Sequence, residues 1–371
     1  PGAMSMEMKD IYWGDTALKQ DAGPVNGAIV DVRGGQFYCI EHYDRMPPFL
    51  MSLVSSSDHW MFISSTGGLT CGRKNPDHAL FPYDTDDKVH DSAAHTGPQT
   101  SFLVERAGKT YLWKPFGGDV AVYSRQRNLY KSLVGDRLIF EEVNQSLGLA
   151  FAYCWSTSHR FGFVKTSTVR NTGDEEISIA VLDGIRNILP PGITREMQSG
   201  RSTLVDAYKQ SETDQASGVG VYSLSSIPTD LAEPRESLNA SVAWCLGIEN
   251  PVVLLSERQS EAFCAAVPVE PERVINGQRG AYFVQTGFRL PPGEERDWRL
   301  IADFGLGPSD LPLLLDNISG GIDSGDVDAD IDSGTRRLMQ LVGGADGCQL
   351  TSDERVSGRH FANTLFNIMR G

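Results

Sequence analysis

The chain has 371 residues, of which 40% are hydrophobic and 22% are charged, as is normal for a soluble globular protein. At this length it can bury a large core, either as one large β domain or as two ordinary domains. Its formal net charge of -15 argues against nucleic acid or an anionic membrane as the main partner, because both require a basic surface.

Residues 1–5 resemble the remnant of an expression vector and are left out of the fold prediction. No apolar signal region follows them, and no run approaches the ~20 apolar residues of a membrane span, so a cytoplasmic location is expected. The six cysteines form no CxxC pair, which disfavours a thiolate zinc site and predicts buried free thiols in a reducing compartment. They are Cys39, Cys71, Cys154, Cys245, Cys264 and Cys348.

The first 300 residues repeat a pattern of strand, tight turn and strand. Segments GAIVDVRGGQFYCIEHY, LMSLVSSSDHWMFISS and SFLVERAGKTYLWKP predict hairpins that turn at Gly34–Gly35, Ser57–Asp58 and Ala107–Gly108. RLIFEEVNQSLGLAFAYCWS continues the pattern, and two longer segments predict further hairpins turning at residues 171–174 and 291–293. Many short strands with regular turn signals indicate a large antiparallel sandwich or barrel. No repeat of fixed period is present, which disfavours a propeller or solenoid.

The character of the sequence changes after about Leu311. Segment DIDSGTRRLMQLV predicts a helix, and the acidic run before and within it, DVDADID, predicts a solvated acidic linker. An EF-hand is excluded, because Ile331 stands where its glycine is required and Arg337 where its bidentate glutamate is required.

The last predicted helix begins at a capping box formed by Thr351 and Glu354. Phe361, Leu365 and Ile368 share one of its faces, which predicts an apolar stripe. We expect this stripe to be exposed and to dock on a further domain.

The most informative stretch is DHWMFISSTGGLTCGRKNPDHALFPYDTDDKVHDS, residues 58–92. It joins a strand and a Gly-Gly turn to a long polar loop that is too elaborate for a mere connection. Its charged and amide side chains alternate with aromatic rings, and this combination suits a site for sugar hydroxyls.

Three segments carry a family resemblance: MPPFLMSLVSSSDHWMFISSTGGLTCGRKNPDHALFPYDTDDK, VRNTGDEEISIAVLDGIRNILPPGI and GQRGAYFVQTGFRLPPGEERDWRLIADFG. With these, the chain resembles the N-terminal region of bacterial proteins related to cellobiose phosphorylase and cyclic β-1,2-glucan synthase. The resemblance implies an all-β fold, a two-sheet antiparallel supersandwich of the galactose mutarotase type, over residues 6–310. Residues 311–371 would then be a helical segment leading to an (α/α)6 barrel.

In that family the barrel carries the aspartate general acid and most of the phosphate site, and the sandwich lends loops to the sugar cleft. This chain contains no barrel, so the resemblance implies a sandwich domain that is not catalytic by itself. Its implied partners are an oligosaccharide or β-glucoside, the barrel of its parent and a second copy in a homodimer. No organic cofactor is implied, and inorganic phosphate would be a co-substrate of the parent.

The cleft residues expected from this reading lie in or just before the polar loop. They are Trp60, Gly67, Gly68, Arg73, Asn75, Asp77, His78 and Asp84. Trp60 would stack on a sugar or fill the core, and Arg73 would hold phosphate, a sugar hydroxyl or Asp77 in an ion pair. No metal site is expected, because His78, His90 and His95 lack metal-ligand spacing.

Two other functions stay open. A stand-alone carbohydrate-binding module would bind glucan without a partner domain. An autonomous hydrolase or aldose epimerase would need a catalytic group in the loop. The candidates for such a group are its carboxylates Asp84, Asp86, Asp87 and Asp91, together with its histidines.

Overall fold

The structure is a computed structural model that describes residues 11–19, 23–85, 87–117, 121–227, 237–345 and 350–370, with side chains in the last range described up to Leu365. The strands of the first half are β1 (Tyr12–Trp13), β2 (Thr16–Ala17), β3 (Asn26–Val32), β4 (Gly35–Glu41), β5 (Leu50–Leu53), β6 (His59–Ser64), β7 (Leu69–Arg73), β8 (Ala79–Phe81), β9 (Gly97–Arg106), β10 (Lys109–Trp113), β11 (Arg125–Ser132), β12 (Leu138–Asn144), β13 (Leu149–Ser158), β14 (Gly162–Asn171) and β15 (Ile177–Ile188). Those of the second half are β16 (Lys209–Thr213), β17 (Gly220–Leu224), β18 (Ala240–Leu246), β19 (Val252–Leu254), β20 (Val274–Asn276), β21 (Gly280–Leu290) and β22 (Glu295–Leu306). The helices are α1 (Asp87–Ser92), α2 (Arg195–Gly200), α3 (Ser202–Asp206), α4 (Ser260–Cys264), α5 (Asp310–Ser319), α6 (Ser324–Gly343) and α7 (Glu354–Arg370).

Two antiparallel sheets dominate the fold. The large sheet has eleven strands in the order β20-β16-β17-β18-β22-β14-β13-β12-β11-β4-β3, and the small sheet has five in the order β10-β9-β15-β21-β19. Between them lies a core of buried aromatic and aliphatic side chains, including Trp155, Phe163 and Trp298 from the large sheet and Phe102 and Val181 from the small one. The predicted all-β class with two large antiparallel sheets is therefore confirmed.

A separate four-stranded sheet, β5-β6-β7-β8, carries the start of the polar loop. It is attached through β8, where the backbone N–H of Leu189 donates to the carbonyl of Leu80. Leu69, Leu80 and Phe81 are fully buried and extend the main core beneath this sheet.

The hairpin predicted to turn at Ala107–Gly108 is present, and the one predicted at Gly34–Gly35 turns one residue earlier, at Arg33–Gly34. Arg33 and Gly34 turn between β3 and β4 with φ of 51° and 80°, and Ala107 and Gly108 turn between β9 and β10 with φ of 49° and 72°. Two successive positive φ angles define the turn type whose twist matches that of paired strands.

The two longest predicted hairpins are wrong. The turn at 171–174 joins β14 in the large sheet to β15 in the small sheet, and the turn at 291–293 joins β21 in the small sheet to β22 in the large one. Both are corners at which the chain changes sheet. Asn171 connects them, because its Nδ2 donates to the carbonyl of Glu175 at 2.7 Å and to that of Leu290 at 2.9 Å.

The predicted acidic linker is also wrong, since the acidic run lies inside α6. Asp323 caps this helix through a reciprocal capping box with Asp326. The next carboxylates bond to the sheet: Asp328 pairs with Arg299 at 2.7 Å, and Asp330 accepts a hydrogen bond from Ser158 Oγ at 2.6 Å. The aspartates that predicted a solvated linker therefore bind α6 to the outward face of the large sheet.

The last helix differs from expectation in two ways. Asp353, rather than Thr351, caps α7, because its Oδ1 accepts from the backbone N–H of Arg355 at 2.9 Å. The apolar stripe is not left open: Leu365 is 2% exposed in a cluster with Leu338 and Val342 of α6, and Phe361 packs against this cluster. The side chain of Ile368 lies outside the described residues. The expectation of an exposed docking stripe is therefore wrong at Leu365.

Five of the six cysteines are free thiols, and Cys348 lies outside the described residues. Cys39 and Cys71 are buried, and the other three are partly buried. Among the helices of the described ranges, none combines the length and the apolar character that a membrane crossing requires.

Candidate functional site

Several loops meet where three strands of the small sheet begin or end. β15 ends at Ile188, opposite the first residue of β21, and Arg186 lies opposite the first residue of β9. The segments that extend from these strands are residues 82–85, 87–96, 189–208 and 255–279, which we call the loop end. Tyr83 and Gln198 join two of them, since the backbone N–H of Tyr83 donates to Gln198 Oε1 at 2.9 Å.

An irregularity in β15 holds the loop end together. A β-bulge separates Arg186 from Ile188, and Asn187 between them has a φ of 62° although it is not glycine. Asn187 Nδ2 donates to Thr96 Oγ1 at 2.9 Å, and Arg186 donates to the carbonyls of Ala93 and Ala94 at 2.7 and 2.9 Å. A bulge with a left-handed residue re-aims side chains at a strand end, and such features concentrate near functional sites.

Asp84 lies within this end, half-buried. Burial raises the pKa of its carboxyl above the ordinary value, while the positive charges of His95 and Lys88 lower it. Burial and the charge of Arg279 lower the pKa of His95, against which Asp84 acts in the opposite direction. Asp84, His95 and Arg279 therefore share one electrostatic environment. A half-buried carboxyl can accept hydrogen bonds, as contact with sugar hydroxyls requires.

Trp60 and Asp77 border the same region. The Trp60 ring lies edge-to-face with that of Tyr83, with centroids 5.6 Å apart, and the Arg195 guanidinium lies 5.0 Å from the Tyr83 centroid. Asp77 Oδ1 accepts from the backbone N–H of Arg195 at 2.7 Å. Trp60 also packs against the buried cluster around Leu189, so it serves both the core and this surface.

Gly67 and Gly68 have structural reasons to be glycine. Gly67 has a φ of 90° and closes the β6–β7 turn by donating to the carbonyl of Ser64 at 2.9 Å. A Cβ on Gly68 would lie 2.0 Å from the carbonyl oxygen of Val89 in α1. Gly68 therefore sets how closely the polar loop folds back on the turn.

Arg73 lies apart from the loop end and is already bound by protein. Its Nε and Nη2 donate to the two oxygens of Asp303 at 2.7 and 2.9 Å, and its Nη1 donates to Asp58 Oδ1 at 2.8 Å. The predicted ion pair with Asp77 is not formed. A phosphate at Arg73 would have to displace a bidentate carboxylate.

Asn75 and His78 accompany Arg73. Asn75 caps the short 3-10 helix Pro76–His78, and its Oδ1 lies 2.7 Å from His78 Nδ1. The His78 ring stands edge-to-face with that of Phe304, 5.9 Å away. The structure thus divides the predicted residues: Trp60, Asp77 and Asp84 belong to the loop-end surface, while Arg73, Asn75 and His78 lie beside the end of β22.

The remaining loop candidates have separate positions. Asp87 and Asp91 belong to α1, His90 Nδ1 lies 2.6 Å from Ser64 Oγ, and Asp86 lies outside the described residues. Arg186, its ion-pair partner Glu257 at 3.2 Å and Arg279 were not predicted. Only the order of residues in GIRNI, where an asparagine interrupts a buried strand, could have drawn attention to Arg186. Within the described ranges, no group of three or more potential metal-ligating side chains is close enough to hold an ion.

Comparison with known proteins gives distant structural likenesses. No protein-family model matches the chain, and no curated protein matches it. A bacterial glucoamylase complexed with acarbose is similar over 81% of this chain and 39% of its own length, at 7% identity and a TM-score of 0.43. A protein assigned as a kojibiose phosphorylase from the human microbiome is similar over 72% of this chain and 30% of its own, at 9% identity and a TM-score of 0.41. A GalM/aldose epimerase homologue from C. elegans is similar over 70% of this chain and 99% of its own, at 12% identity and a TM-score of 0.39.

The chain spans about two fifths or less of the length of the first two of these proteins. At such low identities and TM-scores, function has to be argued from the residues of this chain.

Proposed function

We propose that the chain is the sandwich domain of a carbohydrate-active enzyme and forms one wall of its sugar cleft without supplying the catalytic acid. The reaction proposed for the parent protein is phosphorolysis or transfer of β-linked glucosides. The three sequence segments that resemble cellobiose phosphorylase and cyclic β-1,2-glucan synthase motivate this choice.

The observation that carries the proposal is the composition of the loop end. The Trp60 ring contacts that of Tyr83, which directly precedes Asp84 in the chain. Burial raises the pKa of Asp84, which interacts electrostatically with His95. Aromatic faces next to hydrogen-bonding groups suit a sugar ring, which has apolar C–H faces and polar edges.

The ion pairs of Arg73 favour a chain that forms one wall of the cleft over a chain that contains a complete active site. Phosphorolysis requires a cationic pocket for phosphate, and the guanidinium of Arg73 is already bound by Asp303 and Asp58. A phosphate site on another domain is consistent with this arrangement.

The test is an assay of this chain and of the full product of its gene. Each is incubated with phosphate and cellobiose, sophorose, laminaribiose or gentiobiose, and glucose 1-phosphate is measured. We expect release only by a product that includes a further domain. Turnover by this chain alone would overturn the proposal.

A second measurement distinguishes between two roles for Asp84, contact with the sugar and general acid. In the active protein, Asp84→Asn should raise KM while leaving kcat within about tenfold, because a wall contact acts mainly on binding. A fall in kcat of about 1,000-fold with KM unchanged would instead identify Asp84 as the acid.

A further inference from the structure

A trough runs along the outward face of the large sheet, on the side away from the core. Its volume is about 830 Å³, within the usual range for ligand pockets. Strands β3, β4, β11, β12, β13, β14 and β22 form its floor and sides, and α6 contributes one wall through Ile331 and neighbouring aspartates. None of the residues that line it belongs to the loop end.

Strand register places a row of polar side chains across this trough. Glu41 is paired with Asn128, Asn128 with Glu141, Glu141 with Ala152, and Ala152 with Thr168. Directly paired residues of adjacent antiparallel strands point to the same face of a sheet. Neighbouring strands lie about 4.8 Å apart, so Glu41 and Glu141 are separated by roughly 10 Å at the backbone.

The depth of the trough comes from small side chains on β13. Ala150, Ala152 and Cys154 follow one another along its outward face, and Thr166 and Thr168 do so on β14. Longer side chains stand on both sides, with Tyr130 and Glu141 on β11 and β12 and Arg299 on β22. The difference in side-chain length forms a channel with an apolar floor and polar sides.

The positive charges of the trough are largely neutralised within the protein. Arg299 pairs with Asp328 at 2.7 Å, Arg33 pairs with Glu295 at 2.8 Å, and Arg137 pairs with Asp332. Three of its four arginines are thus bound by carboxylates, so an anionic ligand would find little uncompensated positive charge.

Hydrogen-bond acceptors remain on the other side. Glu141 Oε2 accepts from Asn128 Nδ2 at 2.9 Å and from Tyr130 Oη at 2.7 Å, which orients the carboxylate. Glu41, whose Oε2 accepts from Asn26 Nδ2 at 3.3 Å, lines the same channel together with Thr166 and Thr168. Oriented acceptors above an apolar floor favour a ligand that carries many hydroxyl donors.

We propose that this trough is a second binding site, for a short neutral oligosaccharide, in which Glu41, Glu141 and Thr168 bind sugar hydroxyls above Ala152. The site is distinct from the loop end, and binding here does not depend on phosphorolysis.

The experiment uses the intact chain and calorimetric titration with cellotetraose, a neutral probe, and with tri-galacturonate, its anionic counterpart. Ala152→Phe fills the floor, and Ser178→Phe places the same ring on the outward face of the small sheet as a matched control. Melting temperatures establish that both variants are folded.

Cellotetraose should bind, and Ala152→Phe should abolish its binding while Ser178→Phe leaves it unchanged. Glu141→Gln should weaken binding roughly tenfold, as expected for one charge-assisted hydrogen bond, and Thr168→Val should weaken it about fivefold. Binding of cellotetraose at the loop end would instead be weakened by Asp84→Asn and retained by Ala152→Phe, which distinguishes the two sites. Tighter binding of tri-galacturonate, equal binding by folded Ala152→Phe, or no binding of cellotetraose at millimolar concentration would each overturn the assignment.

Discussion

Lys165 of β14 and Asp183 of β15 form a salt bridge in which neither side chain is exposed, with Nζ 2.7 Å from Oδ1 and 2.8 Å from Oδ2. Because β14 belongs to the large sheet and β15 to the small one, the pair joins the two sheets through the core. Asp183 also accepts hydrogen bonds from Thr100 Oγ1 and Trp298 Nε1. The largely apolar core of the sandwich therefore contains a buried ion pair whose carboxylate is also hydrogen-bonded.

Removing one member of this pair should be costly. Asp183→Ala leaves the Lys165 ammonium buried without a counter-charge and should lower the free energy of unfolding by about 3–5 kcal/mol. Lys165→Met combined with Asp183→Leu should recover much of that loss, because no unpaired charge is then left at this position. Urea denaturation of the three proteins measures both effects. A double variant less stable than Asp183→Ala would contradict the argument.

Arg73→Lys should lower stability by about 1–3 kcal/mol, because lysine cannot reproduce the bidentate bonds to Asp303. Arg289→Lys is the matched control, since that side chain is 78% exposed and 3.7 Å from its partner Glu176. We expect no measurable change there. Equal effects of the two substitutions in chemical denaturation would show that the Arg73 pairing is unimportant.

Acid should destabilise the fold through His59. Burial, followed by the charge of Arg73, lowers the pKa of His59 from 6.5 to about 3. Between these values the unfolded chain binds a proton that the folded chain does not, so stability falls as pH falls, by at most about 1.4 kcal/mol per pH unit.

The measurement for His59 is the difference in unfolding free energy between the wild type and His59→Gln at pH 7, 5.5 and 4.5. The wild type should lose more stability than the variant over this range. Parallel curves would mean that His59 titrates normally in the folded state.

Gly68→Ala should displace α1, because the new Cβ would lie 2.0 Å from the Val89 carbonyl oxygen. We expect a loss of about 1–3 kcal/mol and faster amide exchange in residues 87–92. Gly343→Ala near the end of α6 is the control, since nothing lies within 4 Å of its added Cβ. If both variants melt at the wild-type temperature, α1 does not pack as described.

Leu365→Ala should release α7 from α6. Leu365 is 2% exposed against Leu338 and Val342, and removing such a side chain costs about 2–5 kcal/mol of local packing. Hydrogen exchange should accelerate in residues 354–365 while the sheets stay protected. Val356→Ala, on the same helix but 37% exposed, should have little effect. Unchanged exchange in Leu365→Ala would show that the helix is not held by this contact.

The sequence was sufficient where structure is decided locally. The turns at Arg33–Gly34 and Ala107–Gly108 were indicated by their glycines, which accept positive φ, although the first lies one residue before its predicted position. The corners at Asn171 and Pro291 carry equally strong turn signals, but a turn does not reveal whether its flanking strands pair with each other or with distant strands. That choice is made by packing between the sheets.

The same limit applies to helices and to the site. In α6 the apolar residues Val327, Ile331, Leu338 and Val342 are buried, but the aspartates between them masked this helical spacing. Arg73 is 230 residues from Asp303, so no local pattern could show that its guanidinium was already bound. The aromatic and acidic residues of the polar loop indicated a binding surface from the sequence alone. The bulge at Asn187 could not be predicted in this way, because it depends on the pairing of β15 with β21.

The position of β22 has a consequence for biosynthesis. β22 lies between β14 and β18 in the large sheet, and it pairs with β14 from Phe163 to Arg170. On a ribosome, β14 is finished more than a hundred residues before its neighbour is made, so its open edge can meet other nascent chains. The hydrogen bond from Asn171 Nδ2 to the carbonyl of Leu290 likewise cannot form until Leu290 has been added to the chain. The large sheet can therefore be completed only after β22 has been synthesised. We expect chaperones to bind mainly to chains that end before residue 295.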